Sequence, residues 1–501
     1  MTRFFERLGR YFLIFEVLVD YGVKVFWHKF LGGRKPFISP VELREILEDL
    51  GGGFLKFGQM AAVRPDYFPR EYSRELLRLL DQVPEIDPEY VDKIFLSEYG
   101  KKPEKVFAKF ERASISAASF GQVHRAWLES GEKVAVKIQR PFMAENFALD
   151  ARFISFLAWL LKRTNVVRVV DPLKVVQEFV RWTERELDYL REAEHLSKLR
   201  DQAVRHGFNI KIPKVYSDLT TRKILVMEFI EGENLKWYYL RDEMPPGATE
   251  LFKEGIFFEL YSYLFKGFFH ADPHPANLLI TDEGGLAFVD AGIALEVKIS
   301  DRKKMAKFLE AVVRENVTDA VAAFLEMANA PILKILKEAR EAYPRYWMKI
   351  QLMKTIFLKK VKTGLSDVIE RWHKAAREGG SIEEKSPMHK FMQLFQLADR
   401  AGIKMPESSV LFARTFLTID VIVLELIPDL NIPAIINEFF EKYKAEFAKL
   451  LEIPDEVPFY MEPEFDSEWS EIFQSTHSEI KRREKELLME NASAIMETFE
   501  I

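Results

Sequence analysis

Between Gly267 and Ile280 the chain reads Gly-Phe-Phe-His-Ala-Asp-Pro-His-Pro-Ala-Asn-Leu-Leu-Ile, which places a carboxylate, Asp272, five residues ahead of an amide, Asn277. Thirteen residues further on, after the apolar run Leu286 to Val289, stands Asp290-Ala291-Gly292. An amide and a carboxylate on neighbouring short strands offer hard oxygen donors of the kind magnesium takes beside a triphosphate. A second carboxylate on the loop can face whatever group attacks the phosphorus. These types and spacings suit phosphoryl transfer, with Asp272 at the point of attack and Asn277 and Asp290 on the metal. Asp-Pro and His-Pro are also turn punctuation, and Asn277 can cap a local turn, so this stretch alone leaves both readings open.

Chemistry on a triphosphate needs a cover for the phosphates, a cation to bridge them, a carboxylate to hold that cation and a strand edge for the base. The segment from Ser114 to Trp127 runs through small residues into alternation and predicts two strands around a tight loop, with Ala117, Ala118 and Ser119 against the phosphates. Gly131-Glu132 then turns the chain into Lys133-Val-Ala-Val-Lys137, which resembles the Val-Ala-Ile-Lys strand of protein kinases. The lysine of that strand bridges the α and β phosphates and pairs with a helix glutamate. The helical pattern from about Pro172 to Ala203 carries Glu184, Glu186, Asp188, Glu192 and Glu194. It is the long acidic helix between Lys137 and the loop, although most carboxylates on such a helix are solvated. The strand Lys223 to Ile230, paired with Ile212 to Tyr216, ends in Glu231-Gly-Glu. Glu228, Phe229 and Ile230 are the expected hinge, where backbone groups meet the base.

At 501 residues the chain exceeds one compact core, and 48% hydrophobic content excludes global disorder. Lys+Arg 72 against Asp+Glu 78 leaves a net charge of −6 and no electrostatic case for nucleic acid as the main partner. The absence of cysteine excludes disulfides, thiolate metal sites and cysteine catalysis, and a cytoplasmic location is the expectation. No signal peptide is visible. The apolar stretch Val410 to Pro428 contains Arg414, Asp420 and Glu425, so a buried helix is expected there rather than a bilayer span.

Residues 3 to 31 place Phe4, Leu8, Tyr11, Phe12 and Phe15 at helical spacing among Arg3, Arg7, Arg10, Lys24 and Lys29. That face suits packing on the protein body or lying on the inner surface of a membrane. Beyond Pro40 a second helix is expected to Leu50, and Gly51-Gly52-Gly53 then opens Phe54-Leu-Lys-Phe-Gly-Gln59. Taken alone, Lys56 and Gln59 look like a solvated helix face. Residues 71 to 110 read as further helix. From residue 233 onward the pattern is helical apart from the loop, a Pro-rich acidic segment at 453 to 468, and a charged terminal helix. The expected divisions are 1–112, a helical extension; 113–232, a sheet-bearing lobe with inserted helices; 233–452, a helical lobe; and 453–501, a tail.

Assembled in order, these motifs resemble the UbiB family of atypical kinases over most of residues 40 to 300. The likeness rests on Lys56-Phe-Gly-Gln59, the Ala-rich hairpin, Val134 to Lys137, Glu186-Leu-Asp188-Tyr189 with Glu192-Ala193, and His270 to Asn277. The resemblance implies an α+β, protein-kinase-like two-lobed fold, mostly helical, binding ATP with Mg²⁺. It implies that Lys137 is held by Glu192 and that Lys56, Gln59, Glu186 and Asp188 form a lid over the site in which Lys56 meets Glu186. It further implies ATP hydrolysis or phosphorylation of a small molecule in support of isoprenoid-quinone or related lipid metabolism, with peripheral membrane contact. Three positions depart from the family pattern: Ser116 for the first Ala of the loop, Ala276 for a Gly, and Ala291 for the bulky residue of Asp-Phe-Gly. The transmembrane tail of some bacterial members has no counterpart in the sequence. Two other readings stay open, an open aminoglycoside- or choline-type phosphotransferase, which Lys56 to Gln59 argues against, and a nucleotide-gated lipid-binding scaffold.

Overall fold

The computed structural model describes residues 16–17, 39–62, 70–80, 86–117, 121–140, 143–164, 172–186, 188–327, 347–386, 391, 395 and 405–453, with some helical side chains excepted. The expected helix at 3–31 (apart from Glu16 and Val17), Ala118 and Ser119 of the hairpin, and the segments from 454 onward fall outside these. The chain forms two compact units, Met1–Leu240 with Asp272–Ala294, and Arg241–Ala271 with Leu295–Ile501.

In the first unit, helix α1 (Pro40–Leu50) begins at a capping box. Ser39 Oγ accepts from the Glu42 N–H, and the Glu42 carboxylate accepts from the Ser39 N–H, with Pro40 preset for the first turn. Helix α2 (Gly52–Ala62) packs its aromatic face on two later helices, α4 (Met143–Thr164) and α5 (Pro172–Glu186): Phe57 meets Phe179 edge-on with centroids 5.3 Å apart, and Phe54 meets Phe153 at 6.1 Å. Gly53 donates its N–H to the buried Asp150 of α4 at 2.7 Å. Asp87-Pro88 starts helix α3 (Pro88–Tyr99). Asp87 caps it by accepting from the Glu89 N–H, and Gly100 ends it in the left-handed region.

Strand β1 (Lys109–Ala117) begins where sequence periodicity still suggested helix. It joins β2 (Gly121–Trp127), β3 (Lys133–Gln139) and β5 (Ile224–Glu228) in an antiparallel sheet of order β1-β2-β3-β5. Period-2 alternation decides what each face does. Val134, Val136 and Ile138 of β3, with Ile224 and Val226 of β5, pack against Val91, Ile94 and Phe95 of α3 in the core. Ala135 and Lys137 point to the opposite face. Gln122 and His124 are buried polar residues on the core side of β2, and their needs are met: Gln122 accepts from the Ile86 N–H at 2.7 Å, and His124 Nδ1 lies 3.0 Å from the Glu111 carbonyl.

The expected partner strand at 212–216 is reduced to a bridge, Val215 to Met227, because Pro213 has no N–H to offer a ladder. The neighbouring β4 (Ile210–Lys211) joins a second sheet with β6 (Gly232–Asn234), β7 (Leu278–Thr281) and β8 (Leu286–Phe288), in the order β4-β8-β7-β6. The single helix expected from Pro172 to Ala203 is two. After α5 ends at Glu186, Asp188 accepts from the Leu190 N–H and starts α6 (Tyr189–Arg205).

The second unit is helical and aromatic. Phe257 and Tyr261 of α7 (Ala248–Tyr261) pack on Phe439 and Tyr443, with centroids 5.5 and 5.0 Å apart. The stretch Val410 to Leu426 lies in α10, which follows α8 (Ile299–Val313) and α9 (Trp347–Glu378) and runs Glu407–Leu426, with Leu411, Phe412, Phe416 and Leu417 buried. No helix among the described residues is long and apolar enough to cross a membrane.

Candidate active site

Within the first unit a cavity of about 1220 Å³ is lined by Lys137, Glu192, Asp272, Asn277 and Asp290 together. The β7–β8 hairpin brings two of them side by side. Leu278 pairs with Phe288, and the Val289 N–H donates to the Asn277 carbonyl at 3.0 Å, so Asn277 and Asp290 emerge at one mouth of the ladder. The turn reading of the loop is also true, and it serves the site. His274 N–H donates to the Asp272 carbonyl, Asn277 N–H to the His274 carbonyl, and Asn234 of β6 pins the loop through the Ala276 carbonyl at 2.7 Å. Asn277 Nδ2 donates to the Asp272 carbonyl at 3.2 Å. His274 Nε2 lies 3.9 Å from the Asp272 carboxylate.

Lys137 stands at the centre. Its ammonium donates to both oxygens of Glu192, at 2.8 and 2.9 Å, and to Asp290 Oδ2 at 2.7 Å, using its three donors. The Tyr189 ring lies under it, 5.2 Å to the centroid. Burial by itself pushes the Lys137 pKa down, but the charges of Asp290 and Glu192 outweigh it and hold the ammonium well above its usual range. For Asp290 burial pushes the pKa up. The Lys137 charge and hydrogen bond, with the Gly292 N–H on Oδ1 at 2.9 Å, win and keep the carboxyl well below the usual carboxylate range. Asp290 lies deep, yet 32% of its side chain remains open to the cavity.

The donor set fits magnesium. Asp290 presents a charged carboxylate, and Asn277 Oδ1 accepts no hydrogen bond among the described residues. No three His, Asp or Glu side chains among the described residues form a self-sufficient metal cage. That agrees with a metal held by one or two protein oxygens plus phosphates.

The roof of the cavity comes from Ser114, Ile115, Ser116 and Gly121. Ala117 closes β1 opposite Gln122. Gly121 is required by space: a Cβ there would come within 2.5 Å of the Ile138 carbonyl oxygen and of Tyr189 Oη. Glu228, Phe229 and Ile230 line the expected hinge. Phe229 donates its N–H to the Lys133 carbonyl, and its ring sits between the cations of Lys133, 4.2 Å, and Arg125, 4.9 Å. Ile230 is buried, and its backbone N–H has no hydrogen-bond partner among the described residues, as a donor awaiting the edge of a base would be.

Lys56, half-buried, and Gln59 of α2 line the same cavity with Met60, facing Phe179 and Thr183 of α5. Gln59 also donates to the Leu79 carbonyl at 2.8 Å, and a Cβ on Gly58 would strike Leu47 and Leu79, which explains a glycine between them. The Glu186 side chain, the expected partner of Lys56, lies outside the described residues. Asp188 is not in the cavity wall; it caps α6. Glu186 and Glu192, expected on one long helix, stand on two, Glu186 at the end of α5 and Glu192 in the first turn of α6. Sequence reasoning missed Arg125, Phe179 and Thr183, whose only signal was position on a strand or helix face that reached the cavity, and His195, which carried no signal.

Residues 78–324 match the ABC1 atypical kinase-like domain. Among curated relatives, Protein ACTIVITY OF BC1 COMPLEX KINASE 7, chloroplastic, of Arabidopsis thaliana is 32% identical over 57% of this chain, which spans only 41% of that protein. The protein named Probable protein kinase UbiB of Pseudomonas paraeruginosa is 27% identical over 86% of this chain and 78% of its own. A solved structure, the complex of Rv3197 with erythromycin from Mycobacterium tuberculosis, is similar with a TM-score of 0.46 and 20% identity, over 80% of this chain and 95% of that one. The order of motifs, the lysine held between helix and loop carboxylates, and the sequence matches converge on one conclusion: the chain has an α+β protein-kinase-like fold, carries an ABC1 atypical kinase-like domain at residues 78–324, and is similar over most of its length to the UbiB atypical kinases.

Proposed function

We propose that this chain binds ATP with Mg²⁺ and transfers the terminal phosphoryl group to water or to a small molecule. The observation that carries this reading is the Lys137 ammonium held between Glu192 and Asp290 in a cavity shared with Asp272 and Asn277. Lys137 bridges the α and β phosphates, and Glu192, buried at 3% exposure, keeps it from swinging away. Asp290 and Asn277 would hold the metal, which when bound neutralises charge on the phosphates. Asp272 faces the attacking hydroxyl and takes its proton. The Ile230 N–H and neighbouring hinge groups receive the base.

A small acceptor is favoured over a peptide because α2 and α5 contribute Lys56, Gln59, Met60, Phe179 and Thr183 to the cavity wall. At about 1220 Å³ the cavity exceeds the roughly 300–1,000 Å³ of single-ligand pockets, leaving room for an acceptor beside the nucleotide. A role in isoprenoid-quinone or related lipid metabolism, at the inner surface of a membrane, is supported by the relatives bearing the UbiB name and by the basic-aromatic stretch at residues 3 to 31. Likeness of fold does not itself fix that role.

ATP turnover measured with and without polyprenyl phenols and anionic liposomes, beside a nucleotide-binding assay, tests both levels. Magnesium-dependent binding and stimulated turnover are expected. A folded protein that binds no nucleotide overturns the activity. Turnover indifferent to phenols and lipids overturns the lipid role. Flotation on anionic vesicles of the full chain against one starting at Phe37 tests the surface contact.

A further inference from the structure

In protein kinases the residue after the metal-binding aspartate is bulky, and its packing sets where the aspartate stands. Here that residue is Ala291, a single buried methyl group. Something else must hold the turn. His195 lies three residues beyond Glu192, on the same side of α6, and is itself buried. Its Nδ1 is 2.8 Å from the carbonyl oxygen of Ala291. A carbonyl can only accept, so Nδ1 carries the hydrogen and donates.

We propose that His195 is a positioning residue, whose Nδ1–H bond to the Ala291 carbonyl replaces side-chain packing and ties the metal-binding turn to the helix that carries Glu192. This rests on the MgATP reading above. Helix α6 then reaches the site at two points, through Glu192 to Lys137 and through His195 to the backbone next to Asp290. Lys137 closes the circuit on Asp290 Oδ2, while the Gly292 N–H holds Oδ1. With the tie in place, the carboxylate, the lysine and its glutamate move as one body. Without it, one hydrogen-bonded link between turn and helix is lost, the flexible lysine side chain carries more of the coupling, and the carboxylate loses part of its fixed aim into the cavity.

The test uses the full chain carrying His195→Asn, His195→Gln or His195→Leu. Asparagine places an amide N–H where Nδ1 stands, glutamine carries it one methylene too far, and leucine keeps bulk without a donor. Two readouts are taken. The first is affinity for ATP with magnesium and for ATP in EDTA, by calorimetry. The second is hydrogen exchange of the Gly292 amide without any ligand. His195→Leu and His195→Gln are expected to lower magnesium-dependent affinity about tenfold, which is about 1.4 kcal/mol and the size of one net hydrogen bond. They should leave affinity in EDTA within about twofold and speed Gly292 exchange by a similar factor. His195→Asn should track the wild type in both.

Wild-type exchange at Gly292 in His195→Leu, or in His195→Gln should the leucine variant not fold, overturns the tie. Loss in His195→Asn equal to that in His195→Gln overturns the donor role in favour of bulk. If the wild type itself binds ATP no better with magnesium, the MgATP reading fails, and the exchange result alone decides whether the tie exists.

Discussion

Replacing Lys137 by methionine isolates the central ion cluster, because methionine fills nearly the same volume while removing the charge. The ammonium satisfies two carboxylates through three contacts of 2.7 to 2.9 Å. Its loss leaves Glu192, 3% exposed, without its cation, and sets it against Asp290. Breaking a buried pair by removing one partner costs about 3–5 kcal/mol. Water can reach Asp290, 32% of whose side chain is open, and relieve its half, so the lower end, about 3 kcal/mol, is expected at pH 7. In the wild type the Asp290 pKa is depressed, so its contribution is present above the unfolded value of 3.8 and is lost as pH falls through the folded value. In Lys137→Met the burial effect loses its main counterweight and is opposed chiefly by the Gly292 N–H, so the destabilisation should shrink as pH falls and the carboxylates accept protons. Removing both charges by Lys137→Met with Glu192→Leu should recover most of the loss, to within about 1 kcal/mol, because apolar replacement of a whole pair is near neutral. Since the chain forms two compact units, local opening of β3 followed by hydrogen exchange in urea is a better measure than one melting temperature. A single variant within about 0.5 kcal/mol of wild type, or a double variant no more stable than the single, refutes the cluster's role.

Asp290→Asn should abolish the magnesium-dependent part of ATP binding, read as the difference between thermal shifts with MgATP and with ATP in EDTA; an unchanged difference removes Asp290 from the metal site. Lys56→Ala should alter turnover or acceptor preference by about tenfold or more while costing about 0–1 kcal/mol of stability, since Lys56 is half-buried in the cavity wall; unchanged kinetics across water, phenols and peptide acceptors would exclude a lid role. Glu259 of α7 is fully buried, no hydrogen bond of normal geometry reaches either oxygen among the described residues, and burial drives its pKa well up, with the backbone of His270 the one group favouring its charge. Its folded pKa lies above the unfolded 4.5, so stability is greatest below that value and falls by about 1.4 kcal/mol per pH unit until the folded pKa is passed; Glu259→Gln should flatten this slope and melt higher than wild type at pH 7.5, and parallel pH profiles would refute it.

What the sequence made legible was what repeats at short range. Lys137 was readable because a strand alternates, so Val134 and Val136 turning inward force Ala135 and Lys137 to the other face. Asp272, Asn277 and Asp290 were readable because one loop and one hairpin fix their spacing, whatever the rest of the chain does. The break between α5 and α6 was not, because helical periodicity continues across it and Asp188 looks like any solvated carboxylate until its oxygen is seen to take the Leu190 N–H. The start of β1 at Lys109 was missed for a related reason: Phe107 and Phe110 satisfy a helical spacing as well as they satisfy the core under the sheet. His195 was wholly illegible. A histidine on an acidic helix looks solvated, and its partner is a backbone carbonyl 96 residues away that carries no side-chain signature. Side-chain spacing therefore reveals groups suited to a phosphate, because that chemistry demands particular types. The bonds that aim those groups run to backbone atoms, which every residue possesses, and only the folded chain shows which backbone atom was chosen.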